Sequence, residues 1–218
     1  MVNENQTSNV PVWLRRYFSP GDAAKVEAAI KRVETATAGE LVVALARRSS
    51  GVGHVAVLTG SCMALLAGEV AWMLNATTMV ATGVAFLSFI LGFLAGQLPF
   101  LQRFLTTRGD LEMQVFNAAA AEFLRARISH TSAATGVLIY VSFMEHRVVV
   151  LGDHAIASKV QQSDWDAIVS TIVAGLKSGK FADGLTDAVH KAGTMLSVNF
   201  PPVAENKNEL HNDIRYLD

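Results

Sequence analysis

Two carboxylates stand where short elements of this 218-residue chain should begin or end: Glu40, after Gly39 and ahead of a run of branched residues, and Asp153, after Gly152. If the segments that carry them lie side by side, Glu40, Asp153 and the Thr135-Gly136 backbone share one edge. Carboxylates from separate segments beside loop carbonyls form an oxygen set that suits Ca²⁺ or Mg²⁺. A metal-bound water held there would be placed to hydrolyse a phosphate ester. Each residue also has a plainer reading. Asp153 after glycine is a common turn and helix cap, and Glu40 after a helix-ending glycine can face solvent. Asp183 and Asp187, one turn apart, read as a solvated helix face. His146 and His154 read as surface histidines. No serine sits in a Gly-x-Ser-x-Gly elbow, and Gly51-Val52-Gly53 lacks the lysine of a phosphate-cradling loop. The single cysteine, Cys62, allows neither an internal disulfide nor a cysteine metal cluster.

The elements that position these residues are arranged around two uncharged runs, Val55 to Leu74 and Thr78 to Leu98. Each approaches the roughly 20 apolar residues that cross a bilayer core as a helix. Glu69 alone interrupts the first run, about a turn and a half from its end, and reads either as a functional intramembrane carboxylate or as one that snorkels to the interface. The link Asn75-Ala76-Thr77 is short, so the helices run antiparallel and return the chain to its starting side. Arg47 and Arg48 precede the pair and Arg103 and Arg108 follow it. Basic flanks are retained on the cytoplasmic face, so the soluble part and both termini are expected in the cytoplasm, with the hairpin in the inner or plasma membrane. Gly60, Ala64 and Gly68 on the first helix, and Ser88, Gly92 and Gly96 on the second, recur every four residues. Small side chains at that spacing let membrane helices approach closely, within the hairpin or between two copies of it.

A hydrophobic fraction of 51% beside only 17% charged residues reflects these central runs. A net charge of −1 gives no electrostatic footprint for nucleic acid. Residues 1–18 read as an N-terminal tail: Met1 to Val10 is polar, without the regions of a signal peptide, and Val12-Trp13-Leu14-Arg15-Arg16-Tyr17-Phe18 suits either a membrane surface or a lid on the domain. Ser19-Pro20 opens a helix to about Thr37. Glu40 to Ala46 is a strand, Leu111 to Ile128 a helix, Gly136 to Ser142 a second strand and Arg147 to Leu151 a third, paired with the second through a tight turn. Ser163 to Lys177, with Ser163 and Asp166 as an approximate capping box, and Phe181 to Val198 are helices. Residues 199–218 are expected as a loosely held tail. Residues 19–48 and 103–198 together form one α/β domain that the hairpin, residues 55–74 and 78–98, interrupts.

The order of motifs is informative as a set: Thr37-Ala38-Gly39-Glu40 entering a valine-rich strand, Thr135-Gly136-Val137-Leu138-Ile139-Tyr140-Val141-Ser142, Glu145-His146-Arg147-Val148, Gly152-Asp153-His154-Ala155-Ile156, then Trp165 and the Gly179 to Gly184 region. Together they resemble the TPM domain family. Ala155 departs from the glycine more usual there, and a membrane hairpin inside the domain departs from relatives with a signal peptide and a C-terminal anchor. The resemblance implies a Rossmann-like α/β/α sandwich, and roles that range over acid phosphatase, calcium binder and accessory subunit of membrane complexes. Two functions follow as expectations: a membrane-anchored interaction or accessory module that binds a protein partner or itself through the hairpin, or a metal-assisted phosphatase.

Overall fold

The computed structural model describes residues 10–49, 51, 53–131, 133–202 and 209–218. Most of the expected N-terminal tail, residues 1–9, lies outside them. In chain order the elements are α1 (Pro20–Glu34), β1 (Glu40–Ala46), α2 (Gly53–Met73), α3 (Thr78–Ala95), α4 (Pro99–Leu105), α5 (Arg108–Arg125), a 3₁₀ turn (Ile128–His130), β2 (Gly136–Ser142), β3 (Arg147–Gly152), α6 (His154–Ala157), α7 (Gln162–Lys177), α8 (Phe181–Asn199) and β4 (Arg215–Leu217). The chain is a mixed α/β protein, with eight α-helices and a four-stranded sheet among the described residues. It divides into two compact units, residues 50–114 and the remainder.

In the larger unit the strand order is β3-β2-β1-β4. β1 runs parallel to β2, with Glu40 opposite Gly136 and Ala46 opposite Ser142. β3 returns antiparallel to β2, with Val137 opposite Gly152. Both central strands are buried along their whole length. That is why neither alternates polar with apolar residues: a strand covered on both faces reads as a continuous apolar run. Side chains nevertheless divide by parity. Leu41, Val43, Leu45, Val137, Ile139 and Val141 pack on the face carrying α1, α7 and α8. Val42, Ala44, Ala46, Leu138 and Tyr140 pack on the face covered by Val115 and Ala119 of α5 and by Ile128.

The Trp13 to Phe18 segment is a lid. Val10, Leu14 and Phe18 are buried in the larger core, each contributing about 1.5–3 kcal/mol by leaving water, and Trp13 and Phe143 meet edge to face. Ser19 caps α1 in a full capping box with Asp22. On α7 the cap lies two residues earlier than expected: the N-cap is Gln161, whose N–H donates to Asp164 at 3.2 Å, instead of Ser163 with Asp166. Helices α7 and α8 cross where a side chain at Gly184 would come within 2.8 Å of the Gly175 Cα, so the crossing requires glycine on both helices. Residues 215–217, read from the sequence as part of a tail, pair as β4 with the outer edge of β1, Ala44 opposite Arg215.

In the smaller unit α2 and α3 form an antiparallel pair, and the link turns through Asn75 at a left-handed φ of 55°. The second helix ends at Ala95, capped by Gly96, short of the expected Leu98. Pro99 starts a separate short helix, α4. Proline has no N–H to give to a continuing helix but suits a first position, and this break accounts for an element the apolar run concealed. Both α2 and α3 are long and apolar enough to cross a membrane.

Candidate functional site

The backbone at the expected edge is assembled as anticipated: the Glu40 N–H donates to the Thr135 carbonyl at 3.1 Å and the Asp153 N–H to the Gly136 carbonyl at 2.9 Å. The carboxylates themselves are engaged separately. Strand β2 lies between β1 and β3, which sets their backbones about 10 Å apart. Over Gly136 the space is filled, since a side chain there would fall within 2.6 Å of the Ile128 carbonyl. Glu40 is 3% exposed, and its two oxygens accept the backbone N–H groups of Glu209 and Leu210 at 3.2 and 3.4 Å. Burial pushes its proton affinity up and those two N–H groups oppose the shift. Asp153 is the N-cap of α6, with Oδ1 accepting the His154 N–H at 2.6 Å. Among the described residues no three His, Cys, Asp or Glu side chains converge on a common point, and Ca²⁺ takes six to eight oxygens.

Among the described residues, Glu40 is one of four carboxylates that hold residues 209–218, a C-terminal strap across the larger unit. Glu34, 6% exposed, accepts the Leu41 N–H at 3.0 Å and the Asn212 side-chain amide. Desolvation pushes its pKa up to about 7. Glu27 accepts the Ile214 N–H at 3.4 Å. Glu122, buried on α5, takes Arg215 at 2.5 Å and Arg125 at 3.1 Å. At the end of the strap the Trp13 indole N–H donates to Asp218 at 2.9 Å. A cleft of about 540 Å³ opens beside the strap, with Val42, Arg127, His211 and Tyr216 among its walls. Burial raises the Tyr216 phenol to about 12.

At the opposite ends of β1 and β2 lies a polar cluster that the sequence did not signal as a site. Glu145, expected merely as a turn residue, is 2% exposed. It accepts the Ser142 hydroxyl and, at 3.0 Å, the Ser49 N–H. The Ser49 hydroxyl donates to Ser142 Oγ at 2.7 Å and lies 3.0 Å from the Tyr140 hydroxyl. The retrievable signal was the three-residue step from Ser142 to Glu145 within a tight turn, where a carboxylate can fold back on a hydroxyl. Ser142 is 1% exposed, and the cluster ties the β2–β3 turn to the end of β1. Asp183 pairs with Lys25 at 2.7 Å on the surface, and Asp187, His146 and His154 are exposed.

In the smaller unit, half of the small-residue set forms a seam. A side chain at Gly60 would meet the Phe89 carbonyl at 2.9 Å, one at Gly92 the Gly60 Cα at 2.9 Å, and one at Gly96 the Ala56 Cα at 2.6 Å. The Thr59 hydroxyl donates across the seam to the Gly92 carbonyl at 2.9 Å. Gly68 has nothing within 4 Å of its Cβ position, Ala64 is half-buried, and Ser88 lines a wider apolar cleft of about 470 Å³ with Met63, Ala67 and Val84. Two steps of four residues advance a helix about 80° beyond two full turns, which carries position 68 off the face that position 60 occupies. The observed line instead follows Ala56, Gly60, Met63, Ala67 and Ala71. Glu69 is exposed, half a turn around the helix from Gly60.

Comparison with known proteins is consistent with this architecture. Residues 103–195 match the TPM domain. No curated protein matches the sequence. Among solved structures, the NMR structure of BA42 protein from the psychrophilic bacterium Bizionia argentinensis is similar over 92% of this chain and 95% of its own, at 22% identity and a TM-score of 0.59. At that identity the likeness concerns the fold alone.

Proposed function

We propose, from the premise that residues 103–195 are a TPM domain, that this protein is a membrane-anchored accessory module: a Rossmann-like α/β/α sandwich held at the cytoplasmic face of a bilayer by the hairpin α2–α3. The observation that carries the reading is the exterior of those helices. Leu65, Leu66, Trp72, Met79, Phe86 and Leu91 all stand exposed, Trp72 at 75% and Met79 at 87%. Water tolerates a continuous apolar surface of that extent poorly, whereas lipid is its natural solvent. The basic flanks Arg47, Arg48, Arg103 and Arg108 support a cytoplasmic orientation for both ends of the hairpin.

The accessory role, in preference to hydrolysis, is supported by how the acidic groups are used. Glu40 binds backbone N–H groups of the strap and Asp153 caps a helix, so each has a structural occupation. Protease protection and alkaline extraction of membranes test the anchor. The full chain should remain in the extracted pellet, and its larger unit should be digested only from the cytoplasmic side. Recovery in the soluble fraction would refute the anchor. A chromogenic phosphate ester with Ca²⁺ or Mg²⁺ tests the role: no turnover and no change in thermal midpoint are expected. A metal-dependent rate lost in Asp153→Asn would replace this reading with the phosphatase one.

A further inference from the structure

The short helix α4 is built inside out for a helix in water. Around its axis Phe100, Leu101, Phe104 and Leu105 form one half, and Gln102 and Arg103 the other. A helix packed on a unit that lives in water turns its apolar half inward. Here Gln102 is the buried residue, on a helix that packs against α2, while Phe100 and Phe104 stand 76% and 75% exposed. Their rings stack with centroids 6.3 Å apart and planes 18° from parallel. Leu98 and Leu105 beside them are exposed as well.

What covers this plate follows from where the chain puts it. Helix α3 has 18 residues, Thr78–Ala95, which is about 27 Å at 1.5 Å per residue, against a hydrocarbon core about 30 Å thick. Crossing that core uses the whole helix. Pro99 then begins α4 only four residues after Ala95, a step of about 14 Å even at full stretch. The step is in fact wound tight, since the N–H groups of Gly96, Gln97 and Leu98 donate back to the carbonyls of Gly92, Leu94 and Ala95. A chain that leaves the hydrocarbon at Ala95 therefore forms α4 within the headgroup layer. Charge agrees with that placement. From Val70 to Gly109 the sequence has no carboxylate, and Arg103 and Arg108 are its charged residues; a stretch of that sign suits the anionic lipids of the cytoplasmic leaflet. Aromatic rings at headgroup level beside basic residues are the composition of a helix that lies flat in the interface.

We propose that α4 is an interfacial helix, lying in the headgroup layer of the leaflet where the hairpin opens, with the rings of Phe100 and Phe104 inserted among the acyl chains. The inference rests on the bilayer anchoring of α2 and α3 proposed above, and adds to it a lipid-binding surface outside the spanning helices. The aromatic plate is accordingly occupied by lipid and is not where a protein partner docks.

The test uses the full chain with Cys62→Ser, reconstituted in vesicles of phosphatidylcholine and phosphatidylglycerol. A nitroxide label is attached in turn at Leu65→Cys on the exterior of α2, at Phe104→Cys, and at Lys177→Cys on the exposed surface of the larger unit. Oxygen concentrates in lipid and a nickel chelate stays in water, so the ratio of the label's collisions with the two reports its depth. That ratio should be highest at 65 and lowest at 177, and at 104 it should exceed the value at 177 several-fold. A water-like ratio at 104 beside a lipid-like ratio at 65 overturns the interfacial helix and leaves the anchor standing. A water-like ratio at 65 overturns both. A label at 104 shielded from both reagents means that protein covers the rings, from a second copy or another chain, and also overturns the proposal. Phe100→Cys repeats the measurement one turn earlier and should match Phe104→Cys; a lipid-like ratio at one ring with a water-like ratio at the other refutes the flat orientation.

Discussion

The same contact is built twice in this molecule, once in each unit. In the larger unit α7 and α8 cross at Gly175 and Gly184; in the smaller one α2 and α3 meet at Gly60 and Gly92. In both, glycine lets one backbone touch another. What differs is the outside. Around the first crossing the outward positions are Lys177, Asp183, Asp187 and Lys191, all exposed. Around the second they are Leu65, Leu66, Trp72, Phe86 and Leu87. Interior packing therefore says little about which solvent a helix pair lives in, and exterior composition says most of it. In water, apolar burial drives the helices together; in lipid the close contact itself must do so.

The largest effect expected from this comparison is at the soluble crossing. Gly184→Val forces a branched side chain against the Gly175 Cα and, at 3.1 Å, the Thr171 carbonyl. No flexible side chain is there to move aside. Stability to urea should fall by about 3 kcal/mol, with the thermal transition moving down accordingly. Gly68→Val supplies the contrast, since open space surrounds that position, and the change should leave the hairpin's thermal midpoint in detergent unaltered. A large loss at Gly68 would mean that the seam follows the every-four spacing after all.

How much of this was legible beforehand depended on how local the cause was. The starts of β1 and β2 could be read directly, because Gly39 and Gly136 stand where the branched runs begin. The break after Ala95 could have been read from Gly96 and Pro99, but the apolar run masked it. The capping of α7 by Gln161 runs against the usual preference for shorter side chains, and only the reciprocal Asp164 would have indicated it. The strap was not legible at all. Its partners Glu27, Glu34, Glu40 and Glu122 lie on three elements, far in sequence from residues 209–218. No local pattern marks a carboxylate that will accept a backbone N–H some 170 residues later. Glu40 shows the consequence for reading sites: its type and place suggested a ligand, and its oxygens are occupied by the chain itself.

The strap provides the next prediction, since it gives the larger unit a pH response that the hairpin seam, packed through glycine and alanine, lacks. Glu34 titrates at about 7 in the folded protein, against about 4.3 when unfolded. The folded state therefore holds the extra proton between those values, and stability contributed by this group is fully present at low pH and declines as pH rises through about 7. The loss across that window should be on the order of 3 kcal/mol, the two hydrogen bonds to the ionised form being already contained in the folded value of about 7. Glu34→Gln removes the titration while keeping an acceptor for Leu41. Urea midpoints measured from pH 5 to 8 should slope downward in the parent and run flatter in the variant. An upward slope in the parent would mean that the carboxylate is held ionised.

The smallest expected effect isolates what a polar group adds to the hairpin seam. The single hydroxyl proton of Thr59 has three carbonyls in reach, those of Val55 and Ala56 on its own helix and that of Gly92 across the seam. Thr59→Val preserves shape and removes that donor. The two intrahelical carbonyls keep their ordinary helical donors, so the net loss is that of one interhelical bond, about 0.6 kcal/mol in a membrane setting. A detergent thermal shift on Cys62→Ser protein with and without Thr59→Val measures it. A loss several times larger would show that the hydroxyl, and not the close approach at Gly60 and Gly92, holds the two helices together. The hairpin would then be closer in kind to the buried Ser142–Glu145 tie of the larger unit than to its glycine crossing.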